Sequence, residues 1–308
     1  MAVTASLVKE LRDMTGCGMM ECKKALVETD GDMNKAVDYL RERGLAKAEK
    51  KAGRIAAEGI VAAYEAEDGT YVLAEINSET DFAAKSDAFQ VFAQDVMKQI
   101  AANKPADVAT LLAQPCMNDA SMTIEEYTKQ IIAKLSENLS IRRFAIVDKK
   151  ADSITTSYIH MGGKIGVLVE LGCEGNVNEE EAKAAAKNIA MQVAAANPKF
   201  LDRSAISAEF IEHEKAIQRA AALAEGKPEK IVDKMVDGRI EKYMKEICLV
   251  DQAYIIDPDM NVTQYLNSVG KAMGATVTIR SFVRFEKGEG IEKKEDNFAE
   301  EVAKQAGL

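Results

Sequence analysis

Apolar residues recur every three to four positions through the head of the chain, and that period predicts three short amphipathic helices over residues 4–14, 19–29 and 32–43. Leu7, Leu11 and Met14 make one stripe; Met33, Val37 and Leu40 make another. Thr15-Gly16-Cys17-Gly18 supplies the glycines for a sharp reversal between the first two helices. Gly31 suits a C′ position and Asp32 the N-cap of the third helix. A basic, alanine-rich connector, LAKAEKKAGRIAAEG, then leads away.

Beyond it the pattern turns to β-branched and small residues. GIVAAYE and YVLAEIN flank a turn at Asp68-Gly69, which predicts a hairpin. Helices follow over about 80–102 and 123–138, then a strand, SIRRFAIV, for an order ββααβ. A similar order returns: ITTSYIH and KIGVLVELG flank Gly162-Gly163, a helix covers about 178–196, and ATVTIRSFVRFE closes the block. VLAEIN matches VLVELG in hydropathy, and Ile141-Arg142-x-Phe144 is echoed by Ile279-Arg280-x-Phe282. Two copies of one αβ unit are the economical reading. The second copy carries an insertion that is helical in period over 204–224 and 228–247, broken at Glu225-Gly226-Lys227-Pro228, so a helical hairpin is expected. One more short helix is expected over 297–305, with Phe298 and Val302 on one face.

The fold class is therefore read as α+β, with a three-helix domain at 1–55 and a core of two subdomains at 56–150 and 151–285, each with a small antiparallel sheet. The hairpin is inserted in the second at about 200–248, and a C-terminal module occupies 286–308. Composition agrees. Hydrophobic residues make up 47% of the chain but aromatics only 6%, with no Trp, so Ala, Val, Ile, Leu and Met must fill the interior. That suits packed helices and a modest sheet better than an all-β sandwich.

The N-terminus lacks the layout of a signal peptide and no apolar run approaches the roughly 20 residues that cross a bilayer, so a cytoplasmic protein with no membrane partner is expected. The five cysteines, Cys17, Cys22, Cys116, Cys173 and Cys248, are scattered without a Cys-x-x-Cys pair and read as free thiols in a reducing compartment, not as a metal site. A net charge of −10 argues against holding nucleic acid as the main task. The charge is uneven, with 11 Lys and Arg against 9 Asp and Glu in residues 1–55 and 29 against 41 in the rest. That faintly basic head keeps open an alternative reading, an RNA- or ribosome-binding accessory protein, whose attachment would weaken steeply with salt.

Catalytic and nucleotide-binding signatures are missing. Tyr158 stands five before Gly163 where a P-loop needs glycine, and Ile165 replaces its Ser or Thr, so Met161-Gly162-Gly163-Lys164 is a hairpin turn. No Gly-x-Gly-x-x-Gly follows a strand and no Gly-x-Ser-x-Gly occurs. His160 at a strand end reads as a surface or partner contact, and His213 as a solvated side chain on a charged helix. No catalytic site, cofactor or metal is expected. The segment EINSETDFAAK poses a sharper question. Phe82 shares a helical face with Phe89 and Val96, which favours a core role, while Asp81 is explained by the helix dipole. Composition leaves a presented Phe82 open.

Longer motifs bear on it. The run Leu11 to Leu26, LRDMTGCGMMECKKAL, resembles the N-terminal signature of the elongation factor Ts family, and Glu75 to Lys85, EINSETDFAAK, resembles its second signature. The similarity continues through ENLSIRR at 137–143, KIGVLV at 164–169 and RFEKGEGIE at 284–292, in the family's order over nearly the whole chain. The resemblance implies a guanine nucleotide exchange factor that binds the GTPase elongation factor Tu and promotes GDP release, without a catalytic site of its own. It also implies a UBA-like three-helix head, two related core subdomains, a coiled-coil hairpin and a C-terminal helical module. Asp81 and Phe82 match the family's Asp-Phe pair, which is pushed into the GTPase near its magnesium and phosphate site, with Thr80 and Ala83 flanking. Met19 and Met20 match a contact to the GTPase domain, and His160 a strand-end histidine that meets the partner. Leu135 and Ser136 match positions that support the wedge, where glycine is common in place of Ser136. Asn297 stands where aspartate is common. The hairpin is a candidate surface for a homodimer.

Overall fold

A computed structural model describes residues 3–292. Contacts divide the chain into two units, one of Met1–Tyr64, Ala74–Phe144 and Glu286–Leu308, the other of Glu65–Leu73 and Ala145–Phe285.

The first unit opens with α1 (Ala5–Thr15), α2 (Met19–Glu28) and α3 (Met33–Lys51). Gly16, at φ 67, ends α1 and donates its N–H to Arg12 O at 2.7 Å, a conformation that costs a glycine nothing. Val8, Leu11, Cys22, Ala25, Leu26, Ala36 and Leu40 form the buried core of the three helices. Two expectations change here. Met14 is exposed rather than part of the α1 stripe, because Val8 joins Leu11 in facing inward. The left-handed C′ residue after α2 is Asp30, at φ 52; Gly31 follows it and donates to Leu26 O at 2.8 Å, the longer bond of a Schellman closure. The supposed connector is also helical as far as Lys51, since its Ala, Lys and Glu residues are strong helix formers.

Strands β1 (Glu58–Glu65) and β2 (Tyr71–Ser78) follow, joined by a turn in which Gly69 takes φ 82 and donates to Ala66 O. The helix expected over 80–102 is two helices. A single turn, α4 (Asp81–Ala84), stops at Lys85; Ser86 is extended, accepts from Phe89 N at 3.3 Å, and starts α5 (Asp87–Asn103) afresh. Next come α6 (Val108–Ala113) and the antiparallel pair β3 (Pro115–Cys116) and β4 (Asp119–Thr123), which hydrophobic periodicity did not signal because they are short and polar. A capping box between Thr123 and Glu126 opens α7 (Ile124–Leu135), which ends short of the expected 138. β5 (Leu139–Val147) completes a three-stranded sheet in the order β1-β2-β5.

In the second unit β6 (Ser153–His160) pairs antiparallel with β7 (Ile165–Gly175), from Ser153 opposite Gly172 to His160 opposite Ile165. Helix α8 (Glu179–Ala196) packs Ala185, Ala186, Ile189 and Val193 onto Val167, Val169 and Leu171. Residues 203–205 form a 3-10 turn rather than the start of the inserted helix, which begins as α9 (Ala208–Ala224) behind the Ser207 cap and pairs with α10 (Glu229–Ile247). Ala222, Val232, Val236, Ile240 and Met244 fill the seam of this hairpin. A further helix missed in the sequence, α11 (Val262–Met273), precedes β8 (Ala275–Glu286), and the sheet order is β6-β7-β8. Helices with small antiparallel sheets make the chain α+β. The short helix expected over 297–305 lies outside the described residues.

One hydrogen-bond arrangement occurs in each unit. Buried Gln99 on α5 donates to Gln114 Oε1 and Pro115 O, both at 3.1 Å, and accepts from Met117 N at 2.9 Å. Buried Gln192 on α8 donates to Gln252 Oε1 and Ala253 O, both at 3.1 Å, and accepts from Ile255 N at 2.8 Å. Tyr127 on α7 reaches Asp95 on α5, as Tyr265 on α11 meets Asn188 on α8. Each of α7 and α11 opens on a capping box and closes on a left-handed residue, Ser136 at φ 61 and Gly274 at φ 70. Between the equivalent anchors the first unit has only α6, where the second has the α9–α10 hairpin.

Candidate functional site: an aromatic ring on a one-turn helix

Helix α4 has four residues and two faces. Ala83 and Ala84 are buried, while Phe82 is 82% exposed, the most exposed of the large hydrophobic side chains among the described residues. The break at Ser86 produces this. By restarting the helix it puts Phe89 and Val96 wholly inside and takes Phe82 off their face. A ring left in water forgoes roughly 1.5–3 kcal/mol of burial free energy.

Thr80 caps the turn. Its Oγ1 accepts from Ala83 N at 3.2 Å, and its carbonyl accepts from Ser78 Oγ at 2.8 Å. Beside the ring, Lys85 Nζ donates to Asp81 Oδ2 at 2.6 Å and lies 6.0 Å from the Phe82 centroid. That bond from Lys85, with Lys287 adding its charge, holds the Asp81 carboxyl below the usual carboxylate range. The site thus presents an apolar ring flanked by a fixed anion and cation.

Leu135 is half-buried at the end of α7, and Ser136 is exposed with φ 61 and ψ 20, so the position where glycine was expected is left-handed in spite of its Cβ. That reversal carries the chain to Glu137, whose Oε2 accepts from Thr80 N at 2.9 Å and whose Oε1 accepts from Thr80 Oγ1 at 2.7 Å. Sequence reasoning quoted Glu137 without giving it a task. A signal was there: a carboxylate just past a helix C-terminus opposes the dipole and implies a specific partner.

Met19 and Met20 are exposed at the start of α2, and Met20 borders a recess of ≈ 360 Å³ with Cys17, Tyr39, Leu40, Arg43 and Ala133. Thr80, Asp81, Phe82, Ala83, Leu135, Ser136, Met19 and Met20 all belong to the first unit. His160 belongs to the second, at the tip of the β6–β7 hairpin, where its Nδ1 lies 2.9 Å from Tyr158 Oη between exposed Ile159 and Met161. Among the described residues no group of His, Cys, Asp or Glu side chains could hold a metal ion, and no helix is long and apolar enough to cross a membrane.

The family model described as "Elongation factor TS" matches residues 79–289, a span that begins at the exposed turn. The chain is 52% identical over 304 residues, 98% of each sequence, to a protein of Clostridium novyi (strain NT) named "Elongation factor Ts". A match of that extent places this chain in the elongation factor Ts family.

Proposed function

We propose that this protein is a cytoplasmic guanine nucleotide exchange factor that binds the GTPase elongation factor Tu and promotes GDP release during translation elongation. The observation that carries the reading is the exposure of Phe82 on a turn whose other apolar residues are buried. In this reading Phe82 is the wedge, Asp81 orients the loop or competes electrostatically near the partner's magnesium, and Thr80 and Ala83 flank the pair. The two-copy core is taken as a duplicated subdomain carrying an inserted hairpin, between a head at 1–55 and a module at 286–308.

Magnitudes say what the wedge can do. A nucleotide held at nanomolar affinity is bound by about 12 kcal/mol. Burying one phenylalanine side chain is worth roughly 1.5–3 kcal/mol, before the cost of association is charged. Phe82 alone therefore does not balance GDP. Further contacts are needed, and Met19, Met20 and His160 are assigned to them, with flexible thioethers suited to an adaptable surface. Exchange is then a linkage: the factor weakens GDP, and GDP weakens the factor equally, so incoming nucleotide releases it.

The test is GDP dissociation from the purified GTPase with wild type and Phe82→Ala. Acceleration by wild type and its loss in a folded Phe82→Ala is the expected result. Equal acceleration by both ends the wedge assignment.

A further inference from the structure

The exposed turn is held by two glutamates acting in opposite directions between the same two segments. Glu137 receives the N–H and the hydroxyl of Thr80, one on each carboxylate oxygen, at 2.9 and 2.7 Å. Glu79, next to Thr80, accepts in return from the backbone N–H of Asn138, next to Glu137, at 2.6 Å. Each segment therefore supplies a carboxylate to the other's main chain. Arg54 Nη1 stands 3.5 Å from Glu79 Oε1, and Asn138 Nδ2 donates to Arg54 O at 2.7 Å, so the pair of segments is also tied to the chain that follows α3.

We infer that Glu137 is a positioning residue for nucleotide exchange: its carboxylate locks the Thr80 cap, and the cap fixes the direction in which Phe82 is presented. The inference rests on the exchange-factor reading above. Its chemistry is specific. Because Oε1 takes the Thr80 hydroxyl proton, the hydroxyl must turn a lone pair toward Ala83 N, which it caps at 3.2 Å. Charge-assisted bonds of this kind are shorter and about twice as strong as neutral ones. A single turn is closed by few backbone bonds of its own, Ala84 N to Thr80 O at 3.4 Å and Lys85 N to Asp81 O at 3.1 Å, so the cap and the clamp add order at its N-terminal end. Glutamine at 137 keeps the shape but offers a single acceptor oxygen, and its amide N–H₂ must then face either a second donor or the hydroxyl in reversed orientation. In the first case the Thr80 N–H loses its acceptor, and in the second the Thr80 hydroxyl no longer has its proton fixed away from Ala83.

Two measurements on the full chain test this. The first is the rate of GDP release from the purified GTPase against factor concentration for wild type, Phe82→Ala, Glu137→Gln, Thr80→Val and the double variant Glu137→Gln/Thr80→Val. The expected result for Glu137→Gln is a maximal rate lower by about tenfold, the scale set by a lost hydrogen bond to a charged group, with a half-saturating concentration changed far less. The double variant is expected to be no slower than the slower single variant, because both changes break one clamp. The second is amide hydrogen exchange in the free factor, where Thr80 and Ala83 of Glu137→Gln are expected to exchange at least about tenfold faster, with Phe89 unchanged. Unchanged exchange at Thr80 and Ala83 overturns the clamp, whatever the release rates. Faster exchange with an undiminished maximal rate, or fully additive losses in the double variant, overturns the positioning role. A wild-type factor that does not accelerate GDP release overturns the exchange reading and this inference with it, and hydrogen exchange then still reports whether the clamp exists.

Discussion

Arg143 Nε donates to Glu75 Oε2 at 2.7 Å, and the carboxylate that receives it has no exposed surface. Glu75 Oε1 also takes Arg142 Nη1 at 2.9 Å, Asn77 Nδ2 at 3.1 Å and the backbone N–H of Gly288 at 2.7 Å. The chain that follows β8 is thereby fastened to the middle of β2. Burial on its own would push the Glu75 carboxyl up, but the Gly288 N–H, Arg142, Asn77 and Arg143 together outweigh it and leave the group below its ordinary value. The resulting stabilisation is complete above the unfolded-state pKa of roughly 4.3 and is lost as pH falls through the lower folded value. Glu75→Gln is expected to cost about 3 kcal/mol at neutral pH, as for a buried pair that loses one partner. The gap to wild type should close as the solution is taken below about pH 4; urea unfolding at a series of pH values measures both.

The recurrence of the glutamine bridge makes a paired prediction. Gln192→Leu strands Ile255 N, Gln252 Oε1 and Ala253 O, and Gln99→Leu strands Met117 N, Gln114 Oε1 and Pro115 O. The glutamines are buried but most of their partners lie on exposed residues that water can reach once the bridge is gone, so each variant should lose about 1–3 kcal/mol, the cost of one unpaired buried polar group. The loss should fall within its own unit. Amide exchange at Ile255 and Val262 should accelerate in the first variant, and at Met117 and Ile124 in the second.

These two bridges also mark what could be read in advance. Helices such as α8 were legible because each buries one face and so carries its period, as Ile189 and Val193 do, and β2 and β7 because they are continuous, largely apolar runs buried on both faces. A repeat was expected only from short apolar strings; the hydrogen-bond arrangement that Gln99 and Gln192 have in common was not foreseen, because both are polar residues whose task appears once their partners are in place. The β3–β4 pair and α6 had no period to show. At the site, the signatures around Thr80 to Ala83 were found, but helical spacing joined Phe82 to Phe89 because nothing in an amphipathic pattern registers that Ser86 caps a new helix. The position of Glu137 past a helix C-terminus signalled a partner but not which one, because Thr80 is distant in sequence.

Ser136 takes φ 61 at the end of α7, while the matching end of α11 has Gly274 at φ 70. A left-handed L-residue is strained by roughly 1–2 kcal/mol, and glycine there gives back about 0.4–1 kcal/mol through the entropy of its unfolded chain. Ser136→Gly should therefore stabilise the protein slightly, by about 0.5 kcal/mol. Ser136→Val, whose branched Cβ tolerates positive φ poorly, should destabilise it by more than about 1 kcal/mol. Because Glu137 follows directly, the valine variant should also loosen the Thr80 amide, while the glycine variant should leave it protected. Denaturant midpoints and amide exchange distinguish the two.

Phe82 and Phe89 are the same residue type one heptad apart, and they should behave oppositely when truncated. Phe89 has no exposed surface and packs within the core of the first unit, so Phe89→Ala should cost about 3–5 kcal/mol through lost transfer free energy and an unfilled cavity. Phe82 is 82% exposed, with the Lys85 ammonium near its face, so Phe82→Ala should change stability by no more than about 0.5 kcal/mol. Its effect is expected on the stimulated release of GDP instead. A protein that unfolds with wild-type midpoint and slope yet no longer accelerates exchange would separate the two roles of an aromatic ring in one short stretch of chain. If Phe82→Ala instead proves as destabilising as Phe89→Ala, the ring is a core residue in solution and the restart of the helix at Ser86 does not hold there.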